Sequence, residues 1–185
     1  MNEQYKVQVQ NLVDDLKAVF THAGLGGEAG EYKLLTQSFL YKFLNDKFLY
    51  EAQNVDSENT YEHLVSMSEE DYDWLLEDIG TSTAWMKPNQ FIETLHRKQN
   101  ESDFYETFEN TLNQIAIDNN DIFSVHTDGD TAIRLFDERL ITDTISDSSK
   151  RNEVAKAIIN LLARVKFDET IFSQGFDFFS TLFEY

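Results

Sequence analysis

The chain contains no cysteine. That excludes a disulfide framework, a thiolate metal site and a cysteine nucleophile, and it suits a reducing compartment. Proline is almost as scarce: Pro88 is the only one in 185 residues, beside seven glycines. Sandwiches and barrels turn on themselves many times and use more of both residues, so an all-α fold is expected. Long apolar runs are missing too. The first ten residues, MNEQYKVQVQ, lack the apolar core of a signal peptide. No stretch reaches the uninterrupted apolar length of a membrane span. The expectation is a cytoplasmic protein with no membrane contact.

Positive charge is also short. Fifteen Lys and Arg face 34 Asp and Glu, giving a net charge of −19 and a pI near 4.4. Phosphate backbones and anionic bilayers repel a domain this acidic, which excludes independent nucleic-acid binding. A basic partner, or mimicry of a polyanion, stays open.

Legible reaction chemistry is missing as well. There is no G-x-x-x-x-G-K-[ST] phosphate loop. Gly24, Gly26 and Ala29 match G-x-G-x-x-A, but a helical stretch precedes them, and Glu28 and Glu31 would oppose a pyrophosphate. His22, His63, His96 and His126 are scattered, with no H-x-x-x-H pair. Asp128-Gly129-Asp130 lacks EF-hand ligand spacing and reads as a turn. Carboxylates are abundant, yet no nucleophile–base pair is legible.

What is present is apolar and aromatic. Hydrophobic residues make up 41% of the chain, including 15 Phe and 8 Tyr, which argues against disorder despite the charge. The most apolar stretch is Tyr32 to Tyr50, YKLLTQSFLYKFLNDKFLY. Leu35, Phe39, Leu40, Phe43, Leu44 and Phe48 recur at helical spacing, and Leu34, Tyr41, Leu49 and Tyr50 widen the face. A helix apolar nearly all round belongs inside a bundle. The expectation is therefore a multi-helix bundle around this central helix, spanning about residues 32–50.

Other helices are expected around it. One runs from Asn2 to Thr21 on a stripe of Val9, Leu12, Val13, Leu16, Val19 and Phe20. The polar segment AQNVDSENT reads as a linker. Ser68 is placed to cap a helix ending at Gly80, with Tyr72, Leu75, Leu76 and Ile79 inward and Trp74 at the edge. Its acids, Glu69, Glu70, Asp71, Asp73, Glu77 and Asp78, read as a solvated face, a cation site or a surface for a basic partner. Pro88 opens a helix over PNQFIETLHRKQ. Ser102 to Ile117 forms another, on Phe104, Phe108, Leu112 and Ile115. Thr131 to Leu140 reads as helix, and Ile122 to Val125 as at most one short strand or hairpin. Asp147 or Ser148 caps a helix to Val165, on Val154, Ile158, Leu161, Leu162 and Val165. A connector, KFDETIF, leads to a last helix presenting Phe176, Phe179, Leu182 and Phe183. It ends at Tyr185 without a polar tail, which reads as the edge of a fragment.

The cationic candidates are few. Lys33, Lys42 and Lys47 form a polar edge on the central helix, where basic residues interrupt the acidity. Lys150, Arg151 and Lys156 cluster later, and His96-Arg97-Lys98 forms a third group. Each can touch a partner or phosphate, or simply face solvent.

Two segments stand out by their order of residues. The first, of F-L-x-x-[FYI]-[LI]-x-[DN]-[KR]-[FY] type, is Phe39-Leu40-Tyr41-Lys42-Phe43-Leu44-Asn45-Asp46-Lys47-Phe48. The second comprises Ala157-Ile158-Ile159-Asn160-Leu161-Leu162, Asp168 and Gly175 to Tyr185, ending in Leu182-Phe183-Glu184-Tyr185. Together they resemble a known family: the N-terminal helical domain of the modification subunit (DNA adenine methyltransferase) of type I restriction–modification systems, whose Y-E-Y-L junction the last four residues resemble. Gly175 stands a few residues earlier than the family pattern places it. The resemblance implies a single helical domain over 1–185, the N-terminal part of a longer methyltransferase subunit. It implies no catalysis by this chain: the N-P-P-[FY] motif and the glycine-rich cofactor loop are absent, and S-adenosylmethionine belongs to the parent protein. The implied partners are the specificity subunit and a second modification subunit, with DNA engaged only by the complex. Lys33, Lys42, Lys47, Lys150, Arg151 and Lys156 are the candidate contacts for partner or DNA. The alternative reading is a free-standing acidic protein that mimics DNA and inhibits a DNA-binding enzyme. Mimicry requires carboxylates in two rows at phosphate-like spacing, about 7 Å apart.

Overall fold

The structure is a computed structural model that describes residues 3–81, 83–120 and 136–173. Among these residues every regular element is helical. In chain order they are α1 (Glu3–His22), α2 (Ala29–Val55), α3 (Tyr61–Ser66), α4 (Glu69–Ile79), a 3-10 turn (Pro88–Gln90), α5 (Ile92–Arg97), α6 (Phe104–Asp118), α7 (Leu140–Thr144), α8 (Ser148–Arg164) and α9 (Glu169–Phe172). The all-α multi-helix bundle read from composition and periodicity is the fold observed.

The long helices form where the apolar spacing puts them. On α1, Leu12, Val13, Leu16 and Phe20 are buried; on α6, Phe104, Phe108, Leu112 and Ile115 are fully buried; on α8, Val154, Ile158 and Leu162 lie inside with Ala155 and Ile159. The expected caps are present. Ser68 Oγ accepts from the amide of Asp71 at 3.2 Å, and the Asp147 carboxylate accepts from the amide of Ser149 at 3.0 Å. Gly80 ends α4 with φ +66°, a conformation other residues resist.

The central helix is longer than its apolar stretch, extending to Ala29 and Val55. It packs against α1, α4, α7, α8 and α9. Its aromatics lock several layers: Tyr41 meets Phe108 edge-on at 6.1 Å, and Phe48 stacks on Tyr72 at 6.4 Å and tilts against Phe91 at 5.8 Å. A second hub stands opposite. Helix α8 packs against α1, α5, α6 and α7 as well as α2, so the core is organised by two helices rather than one.

Four expectations are corrected. The linker begins only at Asp56, because α2 continues through the polar residues Gln53 and Asn54. The stretch after Pro88 is no single helix: Phe91, with φ −65° and ψ 145°, breaks it into a 3-10 turn and α5, which lets its ring turn inward and bury. The part of Thr131–Leu140 within the described residues is turn up to Arg139, with α7 starting at Leu140. The connector KFDETIF contains α9, capped by the Asp168 carboxylate accepting from the amide of Thr170 at 3.0 Å. The readings of Ile122 to Val125, His126, Asp128-Gly129-Asp130, residues 131–135 and Gly175 to Tyr185 lie outside the described residues.

Candidate functional site

The segment that carries the family resemblance holds a buried polar stripe. Ser38, Lys42, Asn45 and Asp46 follow one another at spacings of four, three and one, on one side of α2, and all are buried. Lys42 Nζ lies 2.9 Å from Asp46 Oδ2, with both side chains under a tenth exposed. Asp46 also reaches across the bundle: its Oδ2 accepts from the amide of Phe167 at 2.8 Å, and its Oδ1 from Asn45 Nδ2 at 2.9 Å. Asn45 Oδ1 in turn accepts from the amide of Ile92 at 2.9 Å. Burial pulls the Lys42 ammonium below the usual lysine range, and Asp46 opposes that pull.

This geometry corrects the reading of Lys42 as a contact for partner or DNA: its ammonium is enclosed and spent on Asp46 and on the face of Phe167, 5.8 Å away. Nor do the three lysines form one edge. At 3.6 residues per turn, Lys42 lies about 180° around the helix from Lys33 and about 140° from Lys47. Lys33 is exposed and sits 3.4 Å from Asp137, while Lys47 is half-buried.

The second cationic group divides in the same way. Arg151 works internally: Nε donates to the carbonyl of Ile145 at 2.8 Å, and the guanidinium stacks over Tyr105 at 5.6 Å. It thereby satisfies a free carbonyl at the C-terminal end of α7, where a cation suits the helix dipole. The N-terminal end of α7 has the complementary partner. Glu109, buried on α6, accepts from the amides of Ile141 and Thr142 at 3.1 and 3.0 Å and from Thr142 Oγ1 at 2.8 Å. A five-residue helix is thus held at both ends by side chains of the matching sign. Lys150 and Lys156 remain half-buried on α8. Lys150 lines a groove of about 430 Å³ between α1 and α8, where His22 Nε2 stands 3.9 Å from Glu153. Of the third group, Arg97 pairs with Glu93 at 3.1 Å and stacks on Tyr61 at 4.9 Å.

The acids of α4 are placed differently. Tyr72, Leu75 and Ile79 are buried, while Glu69, Glu70, Asp71, Asp73, Glu77 and Asp78 are exposed. Trp74 lies among them, 62% exposed. Behind that face α4 is firmly seated: the Tyr72 hydroxyl donates to the carbonyl of Met86, and Trp85 Nε1 donates to the carbonyl of Gly80 at 2.7 Å. Among the described residues no group of His, Asp and Glu is arranged to hold a metal ion, and no helix is long and apolar enough to cross a membrane.

Reasoning from sequence singled out no functional role for Asn45, Asp46, Glu109 or Asn119, each of which is buried and bridges distant segments. Asn119 pairs with both backbone groups of Trp85, accepting at 2.7 Å and donating at 2.8 Å. A signal for the first two existed: polar residues at i, i+3 and i+4 inside an apolar helix mark an internal stripe. No protein-family model, no curated protein and no solved structure matches this chain.

Proposed function

We propose that the chain is a non-catalytic helical docking domain of the kind found at the N-terminus of type I modification subunits. In that role it holds the specificity subunit and a second modification subunit together around DNA, and S-adenosylmethionine binds elsewhere in the parent protein. One observation carries the reading. The two stretches that bear the resemblance meet in the fold: Asp46 binds the backbone of Phe167, immediately before Asp168, and Phe39 stacks on the Phe167 ring at 6.4 Å. A sequence pattern that unites two segments 121 residues apart fits a shared packing solution better than two coincidental apolar helices. Asp46, a polar position that the pattern specifies, then has a structural reason to be there.

Of the cations in this reading, Lys42 and Arg151 are enclosed by internal contacts, Lys33 is exposed beside Asp137, and Lys47, Lys150 and Lys156 are half-buried.

Co-expression with the specificity subunit and catalytic domain of a type I system tests the proposal. The expected result is a stable complex that methylates adenine only when all parts are present. Failure of the chain to join either component, with its fold intact by circular dichroism, overturns it.

A further inference from the structure

We propose that the outward face of α4 docks a cationic polypeptide segment, with an arginine stacked on Trp74. Between Lys47 and Lys87 the chain carries no Lys or Arg and ten Asp and Glu. More than half of the net charge of −19 therefore sits in about a fifth of the sequence, and α4 is its densest part. Among the described residues, Trp74 is the most exposed of the large hydrophobics. Its neighbours one turn away on the helix are Glu70 and Asp71 on one side and Glu77 and Asp78 on the other. No ion pair among the described residues engages any of the four.

The partner's chemistry follows from this arrangement. An indole is the best aromatic acceptor for a cation, and the carboxylates around it attract the charge and accept its hydrogen bonds. Arginine fits better than lysine, because its planar group stacks and forks at once. The chain already uses that contact internally, with Arg97 on Tyr61 and Arg151 on Tyr105. Nucleic acid and anionic bilayers carry the wrong sign. A second copy of the chain is opposed by −19 on each partner. The inward side of α4, fixed by Tyr72, Leu75 and Ile79, keeps the platform in place before a partner arrives.

The test is a titration of the full chain with a hexa-arginine peptide, read by tryptophan fluorescence and calorimetry. Saturable one-to-one binding is expected, weaker for hexa-lysine and falling with salt. Trp74→Ala should weaken it about tenfold, as should Glu70→Gln, Asp71→Asn, Glu77→Gln and Asp78→Asn together. Circular dichroism and the unfolding midpoint of both variants should match the parent. A control removing the same charge elsewhere, at Asp14, Asp15, Glu101 and Glu106, should leave affinity within about twofold. Equal weakening by the control reduces the effect to net charge and overturns the proposal. So does unchanged affinity in Trp74→Ala, or sedimentation showing self-association that Trp74→Ala abolishes. Assembly with a specificity subunit is read separately, so failure here leaves that proposal standing.

Discussion

Helices α2 and α4 lie against each other and treat charge in opposite ways. On α2, Lys42 and Asp46 are buried, and each has a partner on the protein. On α4, six carboxylates face solvent around an exposed indole, and no ion pair among the described residues engages them. The charges of α2 therefore belong to the stability of the bundle. Those of α4 contribute little to it and stay free for an interaction. Residues that look alike in sequence, a Lys or Asp in an amphipathic stretch, do different work according to what the rest of the chain places beside them.

The largest effect should come from breaking α2. Asp46→Ala leaves a buried ammonium unpaired and the amide of Phe167 without its acceptor. Loss of about 3–5 kcal/mol of unfolding free energy is expected, measured by urea denaturation. Glu109→Ala comes next. It strips two amides at the N-terminus of α7 of their acceptor and should cost about 2–3 kcal/mol in the same assay. If it costs nothing, side-chain capping does not hold α7.

A pH titration sharpens the comparison from another side. Burial raises the phenol pKa of both Tyr41 and Tyr72 above the ordinary value of 10.0. Above pH 10 the unfolded chain loses these protons and the folded chain keeps them, so stability falls as pH rises. Lys42 acts in the opposite sense. Its folded pKa is lowered from 10.5, so its penalty fades as pH rises toward that value. Of these three groups only the phenols act beyond it, at about 1.4 kcal/mol per pH unit each. Urea midpoints at two pH values above 10.5 should show the fall, and Tyr72→Phe should roughly halve it.

The smallest effect belongs to α4. Glu77→Gln with Asp78→Asn removes two negative charges from a helix C-terminus, where the dipole disfavours them. Stability should rise by about 0.5 kcal/mol, with the gain shrinking in salt. A loss above about 1 kcal/mol would place those acids with the structural charges of α2.

Much of the fold was legible because long helices announce themselves. The helices α1, α6 and α8 run over four turns or more, and most residues of their stripes are buried, with Val9, Val19, Leu161 and Val165 partly so. The short helices were not legible: α3, α7 and α9 have six, five and four residues, too few to show a period. Phe91 hid a break, since its apolar side chain fits a helix pattern while its backbone is extended. By residue type Lys42 groups with Lys33 and Lys47, while its spacing from Asn45 and Asp46 marks an internal stripe; nothing local names Phe167, 121 residues beyond Asp46, as the residue that closes over the pair. The exposure of Trp74 at the edge of its helix, by contrast, follows from the period alone.

A double-mutant cycle on Lys42 and Asp46 tests the division between the two helices most directly. Urea unfolding of Lys42→Met, Asp46→Leu and the double variant gives the coupling between the charges. The predicted result is a large loss for Asp46→Leu alone, about 3–5 kcal/mol, with about half or more recovered in the double variant, where no buried charge is left unpaired. A double variant no more stable than Asp46→Leu alone would contradict it, because the charge pair would then not be what the buried stripe of α2 is for.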